Sequence, residues 1–205
     1  MNENRIPEVY DNNISDARIW SMLGNGDIRA LKTLFHRHKD YLYQYSLKLS
    51  GQHALAEDCV HELFFRIWDG KENLSEVTSV KSYLWISIRR DVIRAVNSGK
   101  KEILTDNIST LIPGFHFSPE EIIIHSERKS ASRTRLVKAL NQLPARQREA
   151  IFLKYFHGMS YDEMEQIMSV NYQTARNYIS DGVRTLKMYM DEQADSLSPY
   201  TVMIS

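Results

Sequence analysis

Residues 160–190 have the sequence SYDEMEQIMSVNYQTARNYISDGVRTLKMYM, whose pattern predicts the fold of the C-terminal half. Ser160 is followed three residues later by Glu163, a capping box that satisfies free amides at a helix start. The apolar residues after it recur at helical spacing, at Met164, Ile167 and Met168. Residues 169–171 then break the pattern, and Asn171 can cap a second helix. The stretch therefore predicts two helices separated by a tight break.

The second predicted helix is amphipathic. Its apolar face carries Ala175, Ile179, Val183 and Leu186, and its polar face carries Gln173, Arg176, Asn177, Ser180 and Arg184. A short helix, a break and such a helix are typical of a helix-turn-helix. Arginine can bond a guanine edge and asparagine or glutamine an adenine edge, whereas Arg184 and Lys187 would meet phosphates. The stretch alone leaves a second interpretation open, a helical hairpin in an ordinary bundle with a solvated polar face.

Composition limits the classes of protein that the chain can be. Its 205 residues suffice for one large domain or two small ones, and 42% of them are hydrophobic. The net charge of zero argues against a protein that coats nucleic acid indiscriminately. The charges are nevertheless segregated, because acids cluster at 57–76 and bases at 81–101. Such a chain can contact a basic protein and a phosphate backbone at once.

The compartment is predicted from the cysteine content and from the lack of long apolar stretches. Cys59 is the only cysteine, which excludes an intramolecular disulfide and fits a reducing cytoplasm. No apolar stretch approaches the roughly 20 residues that span a bilayer, and the N-terminus lacks the apolar core of a signal peptide. We expect a soluble cytoplasmic protein without membrane insertion.

The N-terminal half predicts four helices after a loose segment of about 13 residues. The first contains Ile19, Trp20 and Leu23, and the second begins after Asp27 and closes at Gly51. In the second, the residues at helical spacing are Ile28, Leu31, Leu34, Phe35, Leu42, Tyr45 and Leu49. The third runs from about Ala54 to Trp68. Its predicted buried stripe is Ala56, Val60, Leu63, Phe64 and Ile67, and its other face offers Asp58, His61, Glu62 and Phe65.

A polar loop at 69–79 precedes the fourth helix, SVKSYLWISIRRDVIRAV, in which Leu84, Ile88 and Ala95 are predicted to face inward. Trp85, Arg89 and Arg94 are then predicted to be available outside. Aromatic rings beside arginines suit single-stranded nucleic acid, because bases stack on the rings while the cations follow the backbone. The alternative is that Tyr83 and Trp85 simply fill the core of the bundle.

Residues 97–117 lack any sustained period and are predicted to be a flexible linker. Ser118-Pro119-Glu120-Glu121 has the cap, first-turn proline and acids of a helix start, and this helix is expected to reach Leu143. Pro144 opens a further helix, predicted from Ala145 to Phe156 and stopped by Gly158. The chain is thus predicted to be all-α, with two small helical bundle domains joined by a linker, the second containing the helix-turn-helix.

Signatures of catalysis and of cofactor binding are missing from the sequence. It contains no phosphate-binding glycine loop, zinc motif or nucleophile elbow. His36 and His38 would point in nearly opposite directions on a helix, and Cys59 and His61 meet the same objection. The clustered carboxylates of residues 57–76 have no companion pocket in the sequence, so an exposed acidic helix is favoured over an acid/base pair. We expect no enzyme activity, no metal and no cofactor.

Two segments together resemble the extracytoplasmic-function (ECF) class of bacterial RNA polymerase sigma factors. The first, LFHRHKDYLYQYSLKLSGQHALAEDCVHELFFRIW with SYLWISIRRDVI, resembles domain 2 of that family. The second, ALNQLPARQREAIFLKYFHGMSYDEMEQIMSVNYQTARNYI, resembles domain 4. The resemblance implies domain 2 at 14–96, a linker at 97–117, domain 4 at 118–190 and a tail at 191–205.

The resemblance also implies the role of each surface. Asp58, Glu62 and Phe65 would dock on a basic coiled coil of the core polymerase. The loop 69–79 would bind the downstream promoter element and capture an extruded base, together with Lys81, Trp85, Arg89, Arg90 and Arg94. The upstream element would be bound by Tyr172, Gln173, Arg176, Asn177, Ser180, Arg184 and Lys187. The linker would thread towards the RNA exit path, and an anti-sigma factor would hold the free, monomeric protein inactive.

Three residues depart from the family pattern. Arg90 replaces a usual asparagine, Glu165 replaces an alanine where two helices approach, and Ser169 replaces the turn glycine. Ser169 is therefore expected to accept a left-handed backbone at some energetic cost. Two other functions are considered: a conventional dimeric helix-turn-helix regulator, and a small metal-dependent nuclease, which the missing ligands argue against.

Overall fold

The computed structural model describes residues 9–11, 13–98, 115–119 and 130–195. All regular secondary structure within these ranges is helical and no strand occurs there, which confirms the all-α prediction. The chain divides into two compact units, Met1–Gly114 and Phe115–Ser205.

The first unit is a bundle of four helices built around the second. The helices are α1 (Asp16–Gly24), α2 (Ile28–Ser50), α3 (His53–Asp69) and α4 (Val80–Ser98), with a short 3-10 turn at Lys71–Asn73. Helix α2 packs against α1, α3 and α4. Its ends are those that the sequence predicts, because the Asp27 carboxylate accepts a hydrogen bond from the Arg29 amide and Gly51 has a left-handed φ of 70°.

The core of this unit largely follows the predicted apolar stripes. All five residues of the predicted α3 stripe are buried, as are Leu34, Leu42, Tyr45 and Leu49 of α2. Ile28 departs from the prediction, since it is 46% exposed at the first position of α2. Leu31 and Phe35 are only half-buried, so the N-terminal part of the predicted α2 stripe is less buried than the rest.

The prediction that residues 1 to about 13 are loose is wrong for residues 9–11. The Tyr10 amide donates to Thr33 Oγ1 at 2.8 Å, and the Tyr10 hydroxyl donates to the Asp27 carboxylate. Arg37 donates to the Asp11 carbonyl at 2.8 Å. The segment is polar, but its polar groups find partners on and beside α2, which composition alone could not reveal.

The second unit contains α5 (Ser130–Gln142), α6 (Ala145–Ile151), α7 (Tyr161–Met168) and α8 (Tyr172–Asp195). The predicted helix after Pro144 is present, but it widens into a π-helical segment at Phe152–Phe156 before the turn at Gly158, whose φ is 64°. Helix α8 packs against α5, α6 and α7, and it continues into the predicted tail. The predicted helix start at residues 118–121 falls partly outside the described residues.

The last residues of the predicted linker belong to the second unit. Phe115 and Phe117 are buried, and their rings lie 5.4 Å and 6.3 Å from that of Phe152. The Asn141 side chain accepts a hydrogen bond from the Phe117 amide and donates one to its carbonyl. The predicted flexible linker is therefore too long at both ends. Helix α4 continues to Ser98, and Phe115 and Phe117, whose spacing has no helical period, are core residues. Residues 99–114 lie outside the described part of the chain.

Candidate nucleic-acid interface and docking face

The helix-turn-helix has the local geometry that its sequence predicts. Ser160 Oγ accepts from the Glu163 amide at 3.1 Å, and the Glu163 carboxylate accepts from the Ser160 amide at 2.8 Å, so the capping box is complete. Ser169 ends α7 with φ 54° and ψ 52°, the one non-glycine residue with positive φ in the described part of the chain. Asn171 Oδ1 then accepts from the Thr174 amide at 2.7 Å and caps α8.

Helix α8 presents one polar face to solvent. Ala175 and Ile179 are buried, and Val183 and Leu186 are half-buried. The seven side chains predicted to bind the upstream element are all exposed: Tyr172, Gln173, Arg176, Asn177, Ser180, Arg184 and Lys187. Gln173 donates to Asn177 Oδ1 at 2.9 Å, which aligns two amide groups along the first turns. The face thus offers hydrogen-bonding groups that can bond base edges, followed by cations.

Helix α6 makes contacts with α8 and with α5 that the sequence pattern does not predict. Gly182 lies against α6, where a Cβ on this residue would come within 3.0 Å of Ile151 Cδ1. Within α6, the fully buried Glu149 pairs with Arg146 at 3.2 Å. Arg148 donates to the Asn141 carbonyl at 2.6 Å, and burial lowers the pKa of its guanidinium. The (i, i+3) spacing of Arg146 and Glu149 on a helix predicts an ion pair, but spacing alone does not show that the pair is buried.

Helix α3 carries an acidic face on the first unit. Asp58, Glu62 and Phe65, predicted to bind the polymerase, are all exposed, and the Phe65 side chain is 63% exposed. Their spacing of four and three residues places them on one side of α3. His61 lies beside them and stacks on the Phe35 ring with 6.0 Å between centroids. The face therefore combines carboxylates with one protruding aromatic ring.

Two of the five residues predicted to bind downstream DNA are buried. Trp85 is 1% exposed and packs on Tyr45 at 4.8 Å, and Arg89 is 4% exposed. This corrects the prediction that both are available outside, and the alternative that Trp85 fills the bundle is the one observed. The physical reason is that α4 packs against both α2 and α3, so its buried face is wider than one stripe. Lys81 is half-buried, whereas Arg90 and Arg94 are exposed.

A cavity of about 390 Å³ lies beside the loop that was predicted to capture an extruded base. It is formed by one face of α1 and by residues 71–77, and its lining includes Trp20, Asn25, Lys71 and Glu76. Trp20 Nε1 donates to the Ser75 carbonyl at 3.1 Å, which ties the loop to α1. Its volume lies within the range of about 300–1,000 Å³ that is common for small-ligand sites.

An ion-pair network joins α3 to α4. Asp91 accepts from Arg66 Nη2 at 2.6 Å through one carboxylate oxygen, and its other oxygen lies 3.7 Å from Arg94 Nη1. Arg66 belongs to α3, whereas Asp91 and Arg94 belong to α4. Asp91 is not among the predicted site residues. Its position three residues before Arg94 on a helix is the sequence feature that indicates an ion pair between them.

Within the described residues, no group of three or more His, Cys, Asp or Glu side chains is placed to hold a metal ion. Cys59 is buried, and burial raises the pKa of its thiol to about 11, with smaller contributions from Asp91 and Asp58. A thiol with so high a pKa is a poor nucleophile near neutral pH. None of the helices in the described part of the chain is both long and apolar enough to cross a membrane.

Comparisons with known proteins agree with this architecture. The family model "Sigma-70 region 2" matches residues 34–102, and "Sigma-70, region 4" matches residues 133–186. The chain is 28% identical over 159 residues to the ECF RNA polymerase sigma factor SigE of Mycolicibacterium smegmatis, a match spanning 77% of this chain and 60% of that protein. It is 23% identical over 163 residues to SigL of Mycobacterium tuberculosis, spanning 79% and 89% respectively.

A solved structure of CnrH in complex with the cytosolic domain of CnrY has a similar fold. The TM-score is 0.57 at 16% identity, covering 86% of this chain and 97% of that one. The region 2 match precedes the region 4 match along the chain, and the two matches together identify a sigma factor. The chain belongs to the sigma-70 family of RNA polymerase sigma factors, in its extracytoplasmic-function class.

Proposed function

We propose that this chain binds core RNA polymerase through its first unit, selects promoters with both units and carries out no chemistry of its own. The observation that carries the proposal is that an exposed acidic face on α3 and an exposed amide and guanidinium face on α8 occur in separate compact units. A protein that joins a large enzyme to duplex DNA needs both kinds of surface.

The polymerase would be bound by Asp58, Glu62 and Phe65. The carboxylates complement the basic coiled coil that the family resemblance implies, and such complementarity raises association rates and excludes wrong partners. Phe65 protrudes from the same face, and a large apolar side chain at the centre of an interface is a common energetic anchor.

The downstream promoter element would be bound by the loop 69–79 and by the exposed cations of α4. Arg90 and Arg94 are placed to contact phosphates, and the cavity between α1 and the loop offers room for an unstacked base. Lys81 would contribute a further cation from the start of α4. Trp85 and Arg89 would act only as scaffold, because they are buried.

The upstream element would be read in the major groove by the first turns of α8. Gln173, Arg176 and Asn177 would contact base edges with Tyr172 and Ser180 beside them, and Arg184 and Lys187 would contact phosphates. Residues 97–117, most of which lie outside the described part, would lead from one unit to the other past the RNA exit path. An anti-sigma factor would cover these faces in a monomeric, cytoplasmic protein.

Run-off transcription with purified core polymerase on genomic fragments tests the proposal, with start sites mapped. We expect initiation at defined promoters only when this protein is present. Glu62→Lys should abolish capture of core polymerase, whereas Arg176→Ala should keep that capture and lose upstream selectivity. A stable dimer that binds duplex tightly without polymerase would instead support a conventional regulator, and failure of the wild-type protein to bind core polymerase would overturn the proposal.

A further inference from the structure

Asp91 lies between the two surfaces assigned to different partners. Its side chain is only 13% exposed, although it belongs to the same helix as the exposed Arg90 and Arg94. One carboxylate oxygen accepts from Arg66 of α3 at 2.6 Å, and the other lies 3.7 Å from Arg94 of α4. A single carboxylate thus meets one guanidinium from each helix.

Arg66 is the only lysine or arginine in α3. It directly follows Phe65 and lies one turn after Glu62, and its side chain is 47% exposed. The other charged residues of the helix are all carboxylates: Glu57, Asp58, Glu62 and Asp69. Left uncompensated, Arg66 would place a positive charge beside a face that is to meet a basic partner, and like charges across an interface oppose binding.

The carboxylate of Asp91 lies along the edge of α3 that packs on α4, and so it draws the Arg66 guanidinium towards α4. Cys59, two turns before Arg66, is on the same edge and is buried. Asp91 is among the carboxylates that keep the pKa of the Cys59 thiol high, which agrees with its position against both residues. The Arg66–Asp91 pair therefore has a geometry that turns the cation away from the exposed carboxylates.

We propose that Asp91 is a positioning residue for polymerase docking, which pairs with Arg66 and so keeps the exposed face of α3 acidic. The inference rests on the proposed function, because it concerns how strongly the same face binds core polymerase. Asp91 itself does not touch the polymerase in this proposal. It acts through Arg66. Its second carboxylate oxygen also lies near the Arg94 guanidinium, so Arg94 belongs to the same ion-pair network.

The test measures the affinity of purified full-length variants for core polymerase at low and at high ionic strength. Asp91→Asn keeps the shape and removes the charge, and we expect it to weaken binding about two- to five-fold at low salt. The difference should shrink at high salt, because a partly exposed charge is screened. Asp162→Asn, the same change at an exposed residue of the second unit, serves as the matched control and should bind like wild type.

The decisive variants alter Arg66. Arg66→Gln with Asp91→Asn should restore wild-type affinity, because the cation that needed compensation is gone. A purely structural role for the pair predicts that this double variant binds as weakly as Asp91→Asn or worse, which would overturn the inference. The swap Arg66→Asp with Asp91→Arg keeps an ion pair and should bind at least as well as wild type.

Two outcomes separate this inference from the proposed function. Failure of the wild-type protein to bind core polymerase would overturn the proposed function itself. Wild-type protein that binds, together with an Asp91→Asn variant of equal affinity, overturns only the inference. Arg66→Gln alone is a second route if Asp91→Asn does not fold, since it should bind as tightly as wild type or more tightly, and weaker binding would contradict the role of Asp91.

Discussion

Helices α4 and α8 carry the two proposed DNA-binding surfaces, yet their polar residues have different environments. All seven predicted contact residues on α8 are exposed, whereas on α4 Trp85 and Arg89 are buried. Helix α4 packs on both α2 and α3, while the first turns of α8 keep one side free. A period of 3.6 residues therefore predicts the centre of a buried helix face but not the width of that face.

The largest effect that we expect from this difference concerns Trp85. Trp85→Ala should lower the free energy of unfolding by about 3–5 kcal/mol, because it empties a fully buried site beside Tyr45. Phe65→Ala, at a ring that is 63% exposed, should change it by no more than about 0.5 kcal/mol. Urea unfolding followed by circular dichroism checks both. Equal effects of the two substitutions would contradict the assignment of Trp85 to the core.

A polar cluster in the first unit should make its stability depend on pH. The His38 hydrogen bond foremost, and also Arg37, hold the pKa of the Asp16 carboxyl below its usual range. Because that pKa is lowered in the folded state, its stabilisation is present above the unfolded pKa of about 4 and is lost as pH falls through the folded value. Asp16→Asn should cost about 1–3 kcal/mol at neutral pH.

Thermal melts of wild type and Asp16→Asn between pH 7 and pH 2 check this prediction. The two curves should converge on acidification, since the wild-type carboxylate then becomes neutral as well. Asp58→Asn, which removes an exposed carboxylate of α3, is the control and should melt like wild type at neutral pH. A constant difference between wild type and Asp16→Asn across the whole range would argue that Asp16 acts through packing alone.

Substitutions on the exposed face of α8 should change DNA binding and leave the stability of the fold unchanged. Arg176→Ala should cost about 1–3 kcal/mol of discrimination at one base pair of the upstream element if the side chain bonds a base edge. Holoenzyme binding to a set of singly substituted promoters checks it. Lys187→Ala should weaken all sequences alike, as a phosphate contact does. An equal loss of affinity for all promoter sequences in Arg176→Ala would show that this side chain contacts a DNA phosphate and not a base edge.

The smallest effect is expected at the break between α7 and α8. Ser169→Gly should stabilise the second unit by at most about 1 kcal/mol, because Ser169 has a left-handed backbone that glycine adopts at little cost. The greater flexibility of glycine in the unfolded chain offsets part of this gain. Ser169→Val should instead destabilise the unit, since a β-branched residue tolerates positive φ poorly. Differential scanning calorimetry checks the pair.

Helix ends were the most predictable features, because local chemistry decides them. The capping box at Ser160, the Asn171 cap and the closing Gly51 each involve atoms within a few residues of one another. The residues that were missed depend on partners far along the chain. Tyr10 bonds to Thr33, and Phe117 bonds to Asn141, contacts between residues 23 and 24 positions apart.

Sequence patterns alone predict that the chain is helical, where most helices begin and end, which family the chain resembles and which side of α8 is polar. Periodicity and capping act within about four residues, so they can be read without coordinates. The packing of the helices was needed to show that Trp85 and Arg89 are buried, that Phe115 and Phe117 join a core, and that Asp91 pairs with Arg66. Burial and ion pairing depend on which helices pack together, and that is a property of the whole bundle.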